Sequence, residues 1–262
     1  MRGGLAPLFS VADNPRSVPL PMPFWYRADI VTLVAGSKVS VISDLSGNLR
    51  DQLQAVDANR FVWGAATGPN GTPGLTGAGS SFTATAGNID MSGATKLTLI
   101  YVLTPATLDT VGVDGLGATY TTSVTNPEVY SSGFSIGGHD TFQVEYYSAG
   151  AAALASAYGS NPAAPNSPVI VEMTADQTIS SNQATVLING TAPAQTRTFN
   201  GNPTGGFGAA QPLFLGRNYT TPTQAWKGVI AEHFGYFGIM SAQQRQNLYR
   251  GYLSPRYGIT VP

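Results

Sequence analysis

The apolar stretches of this sequence are short, and residues that favour turns interrupt them. Residues 96–103 and 168–173 are rich in β-branched and aromatic side chains, and Gly, Pro, Asn or Thr bounds each run. Runs of this length and composition are typical of β-strands. Further strands are predicted at residues 134–136, 142–147, 213–215 and 229–237. With turn signals between them, the runs predict an all-β sandwich.

One turn and one helix are marked by specific residues. Residues 184–188 run directly into Asn189 and Gly190, a pair that tolerates the positive φ angles of a tight hairpin turn. Near the end of the chain, Ser241 and Gln244 have the spacing of a capping box. The sequence therefore predicts a hairpin at 184–190 and a short C-terminal helix that stops before Pro255.

Two stretches lack both helical and alternating periodicity. Residues 64–81 and 149–166 are rich in Gly, Ala, Pro and Ser, which predicts long surface loops. Loops of this length either serve a function or are tolerated insertions that contacts in an assembly hold in place.

The chain divides into an arm and one domain. Residues 1–23 contain prolines at positions 7, 15, 19, 21 and 23, which favour extended backbone and predict an N-terminal arm. The arm either packs along its own sandwich or reaches a neighbouring subunit. Residues 24–262 have enough apolar side chains, in a chain that is 42% apolar, to form a single domain with one core.

Charge and composition exclude several classes of partner. Charged residues make up 10% of the chain, the net charge is −1, and the basic residues are scattered, so we expect no nucleic-acid partner. The absence of cysteine excludes disulfides and thiolate metal sites. No run approaches the roughly 20 apolar residues of a membrane span, and the first residues form too short an apolar run for a signal peptide.

Three segments together resemble the concanavalin A-like lectin/glucanase superfamily, and specifically its laminin G-like domains. They are residues 24–29 (FWYRAD) with 43–48 (SDLSGN), the turn at 186–190 (VLING), and the run from 226–232 (WKGVIAE) through the helix to residue 259. Such domains occur in bacterial surface proteins and in bacteriophage structural proteins. The resemblance implies a two-sheet antiparallel jelly-roll sandwich with one short C-terminal helix, preceded by the extended arm.

The resemblance and the composition lead to a functional hypothesis. We predict a non-enzymatic bacteriophage virion structural protein on the particle surface, as a capsid decoration or a tail or fibre component. Its partners would be other virion proteins and further copies of itself, because we expect a homo-oligomer. It would fold in the host cytoplasm, without membrane insertion, and reside in the virion. The alternative is a glycan-binding adhesin that recognises host surface polysaccharide.

Catalysis is predicted to be absent. Retaining glycosidases need two carboxyl groups roughly 5 Å apart, which alternate positions of a strand supply. The closest acidic spacings here are Glu172 with Asp176 at four, and Asp109 with Asp114 and Asp140 with Glu145 at five. Neither histidine, His139 or His233, accompanies a Gly-x-Ser-x-Gly elbow. We therefore expect no enzyme and no cofactor, and we interpret Glu232 and His233 as structural residues of a strand.

Metal and sugar binding have weaker signals. Asp114, Asp140 and Glu145 carry oxygens that Ca²⁺ accepts, although turn and edge-strand roles explain these acids better, so any metal site stays unknown. Tyrosine rings stack on sugar faces and their hydroxyls bond sugar hydroxyls. The candidate carbohydrate-binding residues are Tyr120, Tyr130, Tyr146, Tyr147 and Tyr219.

Overall fold

The computed structural model describes residues 14–106, 114–120, 127–136, 139–147, 154–160, 166–200, 207, 212–216 and 225–262. The strands in these residues are β1 (Phe24–Arg27), β2 (Val31–Val34), β3 (Lys38–Ile42), β4 (Gln52–Leu53), β5 (Val62–Gly64), β6 (Gly74–Ala78), β7 (Thr83–Thr85), β8 (Lys96–Pro105), β9 (Asp114–Tyr120), β10 (Pro127–Ile136), β11 (His139–Tyr147), β12 (Leu154–Ser160), β13 (Val169–Asp176), β14 (Ala184–Ile188), β15 (Gln195–Asn200), β16 (Leu213–Leu215) and β17 (Lys227–Tyr236). Helical residues form α1 (Ala242–Leu248), a π-helical turn (Tyr249–Leu253) and α2 (Ser254–Tyr257).

The strands form two layers whose ladders are antiparallel. The first layer has the order β1-β17-β8-β13-β14. The second layer has the order β4-β7-β16-β9-β10-β11-β12-β15. Strands β3, β5 and β6 join the layers at one side, because β3 pairs with β4 and β5, β5 with β6, and β6 with β17. The predicted all-β, two-sheet antiparallel sandwich with a short C-terminal helix is confirmed.

The main core lies between the two layers, and a second core lies outside the first layer. In β8, Leu99 and Tyr101 belong to the inner core, whereas Ile100 and Val102 point the other way and pack beneath the C-terminal segment. Both faces of this strand are therefore buried. This explains why residues 96–103 form a continuous apolar run rather than an alternating one.

The described part of the arm, residues 14–23, lies on the chain's own first layer. The hydroxyl of Tyr236 donates to the carbonyl of Pro15 at 2.7 Å, and the amide of Phe237 donates to the carbonyl of Pro21 at 2.8 Å. Val18 is buried in the outer core. These residues cover their own sheet, as one of the two alternatives for the arm anticipates.

The predicted hairpin at residues 184–190 is a tight turn without a two-stranded hairpin. Asn189 and Gly190 have φ angles of +50° and +83°, as a type I′ turn requires. The chain then leaves this layer, because β15 pairs with β12 in the second layer. The local turn was predicted correctly. The next strand, β15, does not pair with β14, as a hairpin would require, so that part of the prediction is wrong.

Both predicted long loops contain a strand, so the loop predictions are wrong at those positions. Strand β6 lies within residues 64–81 and β12 within 149–166. Glycine in β6 permits a close approach, since a Cβ atom on Gly77 would lie 2.6 Å from the carbonyl oxygen of Trp226. Small residues give these segments a weak strand signal, and pairing with neighbouring strands determines their conformation.

The C-terminal helical segment is longer than predicted. It continues past Pro255 to Tyr257 and ends at Gly258, whose φ is +65°. Pro255 is tolerated because it lies in the first turn of α2, where its missing amide hydrogen has no helical partner. Among the described residues, no helix combines the length and the apolar character needed to cross a membrane.

Candidate functional site

The C-terminal segment packs across the outer face of the first layer. Ser241 caps α1, because its hydroxyl accepts from the amide of Gln244 and the Gln244 side chain accepts from the amide of Ser241. The π-helical turn follows, and Leu248 and Leu253 are buried against the sheet. This packing compensates for the marginal stability of so short a helix.

Glu172 of β13 binds the segment from below. Its carboxylate is fully buried and accepts from Arg245 Nε at 2.8 Å, from Arg245 Nη2 at 2.7 Å and from the hydroxyl of Tyr249 at 2.9 Å. The hydrogen bond to Glu172 raises the pKa of Arg245. The paired charges make this a satisfied buried ion pair.

Glu232 of β17 forms a second anchor under the same segment. Its carboxylate accepts from the Trp25 indole, from the hydroxyl of Tyr252 at 3.0 Å and from the hydroxyl of Tyr257 at 2.6 Å. Burial raises the pKa of Glu232, against the effect of these donors and of the nearby Arg27. Since Glu232 is 1% exposed, it holds the fold together and does not face a ligand.

A solvent-open cleft lies between α1 and the end of the chain. Its volume is about 360 Å³, and its walls are Gly190, Ala242, Gln243, Arg245, Gln246, Tyr249, Arg250, Val261 and Pro262. Arg250 is exposed, and its Nε donates to the carbonyl of Pro262 at 2.9 Å. Glu172 neutralises Arg245, whereas Arg250 forms no salt bridge with an Asp or Glu side chain among the described residues.

A second cleft is lined by the preceding residues of the same C-terminal tail. Its volume is about 280 Å³, and its walls are Asn70, Pro168, Asn189, Tyr257, Gly258, Ile259 and Thr260. The Asn189 side chain accepts from the amide of Ile170 at 2.8 Å, which fixes the amide at the rim. We call the two clefts together the C-terminal groove, because residues 258–262 and the turn at 189–190 contribute to both.

Another pocket, at Pro21, Lys96 and Phe237, is larger, at about 440 Å³. Its one charged side chain among the described residues is Lys96, which pairs with Asp176 at 3.1 Å. The C-terminal groove offers more polar groups without a protein partner.

The predicted sugar-binding tyrosines lie in different parts of the chain, and only some of them are within the described residues. Tyr146 is in the core, where its hydroxyl donates to Gln183 at 3.1 Å, so its ring does not face solvent. The backbones of Tyr120, Tyr130 and Tyr147 belong to β9, β10 and β11, while Tyr219 lies outside the described residues. Sugar binding by these residues stays a prediction.

The predicted calcium ligands lie on two strands that flank β10. Asp114 is opposite Gly133, and Asp140 is opposite Ser135. Glu145 accepts from the Gln143 side chain, and burial raises its pKa. The described residues contain no cluster of three or more His, Asp or Glu side chains suited to a metal ion.

His233 is buried in the inner core. Its Nδ1 lies 3.0 Å from the carbonyl oxygen of Ile100, and its ring stacks on Tyr101 at a centroid distance of 3.9 Å. Burial lowers its pKa to about 3. His139, the other histidine, begins β11.

The groove residues were not singled out from the sequence. The capping box predicts α1, but it gives no signal for a binding role of the polar side of the helix, which carries Gln243, Gln246 and Arg250. The contribution of Asn70 has no local signal, because 186 residues separate it from Arg256, whose carbonyl accepts from the Asn70 side chain.

No family model and no curated protein matches the sequence. Some solved structures have a similar fold to this chain. The binding domain of Botulinum neurotoxin serotype D is similar with a TM-score of 0.57 at 10% identity, over 90% of this chain and 52% of that one. A Trypanosoma rangeli sialidase in complex with 2,3-difluorosialic acid is similar with a TM-score of 0.53 at 13% identity, over 94% of this chain and 36% of that one. The chain thus spans about half or less of these two proteins.

These likenesses support the coarser part of the predicted resemblance, a lectin-like β-sandwich. They also correct one prediction. The sequence analysis excludes an enzyme, but the structures that share the fold include sialidases, which are enzymes. The missing acidic cluster on one strand was therefore an insufficient reason to exclude catalysis, because a fold does not fix a function.

Proposed function

We propose that this domain binds saccharide chains in the C-terminal groove. The observation that carries the proposal is the pair of clefts along residues 258–262, lined by side-chain amides, a hydroxyl and guanidinium groups. Sugar hydroxyls both donate and accept hydrogen bonds, and amide and guanidinium groups match them in pairs. Two adjoining clefts suit consecutive sugar units better than a single small molecule.

Specific donors support the first cleft. Arg250 uses its Nε for the carbonyl of Pro262, which fixes the guanidinium plane and leaves both Nη groups without a partner in the described part of the chain. The Gln246 amide is exposed beside it. A hydrogen bond from a charged group contributes about 1.5–3 kcal/mol, so Arg250 is expected to be the strongest single contact.

Asn70 supports the second cleft. Its Nδ2 donates to the carbonyl of Arg256 at 3.3 Å, and its Oδ1 accepts no hydrogen bond from the described residues, so this oxygen can accept one from a ligand. Thr260 lines the same cleft with a hydroxyl. A saccharide that crosses the tail would contact both clefts.

The test begins with a glycan array probed with the full chain, followed by calorimetric titration of each saccharide that binds. Arg250→Gln should weaken binding about 10- to 100-fold, and Asn70→Ala should weaken it about tenfold, where tenfold corresponds to about 1.4 kcal/mol. The bound saccharides are also analysed for cleavage by mass spectrometry, because sialidases share the fold.

Arg16→Gln is the matched control. Arg16 is also exposed, and its guanidinium also contacts a backbone carbonyl, that of Leu45, but it lies outside the groove. Its substitution should leave the affinity unchanged. The proposal fails if no saccharide on the array binds, or if the groove variants bind as tightly as the Arg16 variant.

A role in a larger particle, such as a bacteriophage capsid, tail or fibre, is a second proposal. The exposed apolar side chains within residues 30–62 favour burial in an assembly. Sedimentation of particles and mass spectrometry of their proteins would test it, and absence of the chain from every particle fraction would contradict it.

A further inference from the structure

Exposed apolar side chains concentrate in one part of the described chain. Eight large apolar side chains are at least 36% exposed, and seven of these lie between positions 30 and 62. Six of them surround strand β2 and its neighbours: Ile30, Leu33, Val34, Leu53, Val56 and Val62. The eighth, Ile179, is remote in sequence. Exposed apolar side chains grouped in this part of the sheet favour an interaction site.

Strand β2 is also an open edge. Among the described strands it pairs with β3 alone, so its other side offers unpaired backbone groups. The carbonyl of Ile30 accepts from the amide of Ser43, and antiparallel alternation then turns the amide and carbonyl of Val31 away from β3. The edge can therefore accept a further strand.

This edge lacks charge and proline, two of the features that prevent such pairing, although β2 is only four residues long. Proteins usually shield edge strands with charged side chains, proline or bulges that bend the edge away. Residues 30–34 (IVTLV) contain neither a charge nor a proline. The bulge near Thr32 is in the ladder with β3, where Leu33 pairs with Val39. We call residues 30–34 the β2 edge.

We propose that the β2 edge pairs with the β2 edge of a second copy of this chain, antiparallel about a two-fold axis. In such a symmetric contact the β2 edge of one copy faces the identical β2 edge of the other. A charged side chain on this edge would therefore face a like charge and repel it. The β2 edge is uncharged throughout. The nearest charges are already neutralised, since Lys38 pairs with Asp57 and Arg27 with Asp29.

This arrangement accounts for both observations together. Backbone pairing satisfies the open edge of β2, and the copy covers apolar side chains that are otherwise in water. Val34 and Val62 flank Lys38 of β3 in register, so exposed apolar side chains lie on both sides of this lysine, whose charge is paired with Asp57. The sequence analysis expects a homo-oligomer, and the structure assigns its contact surface.

Light scattering of the full chain over a range of concentrations tests the proposal. The expected mass is twice the 27.3 kDa of one chain. Leu33→Glu should reduce the mass to that of a monomer, while Ile179→Glu should not. Ile179 is 42% exposed and Leu33 is 40% exposed, which makes the two substitutions comparable. A monomeric wild type, or an unchanged mass in Leu33→Glu, would overturn the proposal.

Disulfide trapping provides a second measurement that does not depend on disrupting the edge. The chain has no cysteine, so a single introduced thiol reports only its own contacts. Thr32→Cys should yield a reducible covalent dimer after mild oxidation, and Ile179→Cys should not. Equal cross-linking through Thr32→Cys and Ile179→Cys, or no cross-linking through Thr32→Cys, would refute pairing through the β2 edge.

A truncated variant that begins at residue 14 distinguishes dimerisation through the β2 edge from dimerisation through residues 1–13. It should remain dimeric and should still cross-link through Thr32→Cys. A monomeric truncated chain would assign the contact to the N-terminal residues and would refute pairing through the β2 edge.

Discussion

The hydroxyl of Tyr257 donates a 2.6 Å hydrogen bond to Oε2 of Glu232, across 25 residues of intervening chain. The two side chains are 2% and 1% exposed. Tyr252 binds the same carboxylate from the π-helical turn. The extra residue of a π turn shifts the following side chains around the helix axis, which lets both tyrosines reach one carboxylate. Glu232 therefore fixes the position of the segment that forms the groove.

Tyr257→Phe should lower the free energy of unfolding by about 1.5–3 kcal/mol, because it removes a hydrogen bond to a buried acidic group. Urea denaturation followed by circular dichroism measures the change. Ser181→Ala, at an exposed position, should stay within about 0.5 kcal/mol of the wild type. Equal losses in both variants would contradict an anchoring role for Tyr257.

Arg245→Met should lower the free energy of unfolding more than Tyr257→Phe does. It leaves the fully buried carboxylate of Glu172 without its cation, and breaking a buried pair in this way costs about 3–5 kcal/mol. The double variant Glu172→Met with Arg245→Met should be more stable than Arg245→Met alone, because it buries no unpaired charge. Thermal and urea denaturation of the three proteins decide this, and a double variant less stable than the single one would disprove the explanation.

His233 should make stability depend on pH. Burial lowers its folded-state pKa from 6.5 to about 3, so the unfolded chain binds the proton more readily. The stability contributed by neutral His233 is present above pH 6.5 and is lost as the pH falls towards 3, by up to about 1.4 kcal/mol per pH unit.

His233→Phe keeps an aromatic ring against Tyr101 and removes the titrating group. Its free energy of unfolding, measured in urea between pH 7 and pH 4, should fall less steeply than that of the wild type. Parallel curves for the two proteins would show that His233 does not cause the dependence.

Gly77→Ala should destabilise the domain by about 1–3 kcal/mol. The new methyl group would lie 2.6 Å from the carbonyl oxygen of Trp226, a backbone atom held in the sheet. Gly87→Ala is the matched control, since a Cβ atom there meets nothing within 4 Å. It should be neutral or slightly stabilising, and similar melting temperatures for the two variants would contradict the close approach at Gly77.

Some features were predictable because they depend on neighbouring residues. The strand at 184–188, the turn at Asn189 and Gly190 and the cap at Ser241 all follow from local preferences, and the structure contains each. The turn at 44–48 is also local. Asp44 accepts from the amide of Ser46 at 2.9 Å and from the Ser46 hydroxyl at 2.8 Å.

The rest of the fold depends on contacts that are distant in sequence. Strands β6 and β12 contain glycine, alanine and serine, whose intrinsic strand preference is low, and they form because β17 and β11 pair with them. The sequence alone determined an all-β sandwich, its main strands and its terminal helix. Only the tertiary structure brought Asn70 beside Arg256 and Glu172 beneath Arg245, because a buried carboxylate is stable only where the fold supplies donors from elsewhere in the chain.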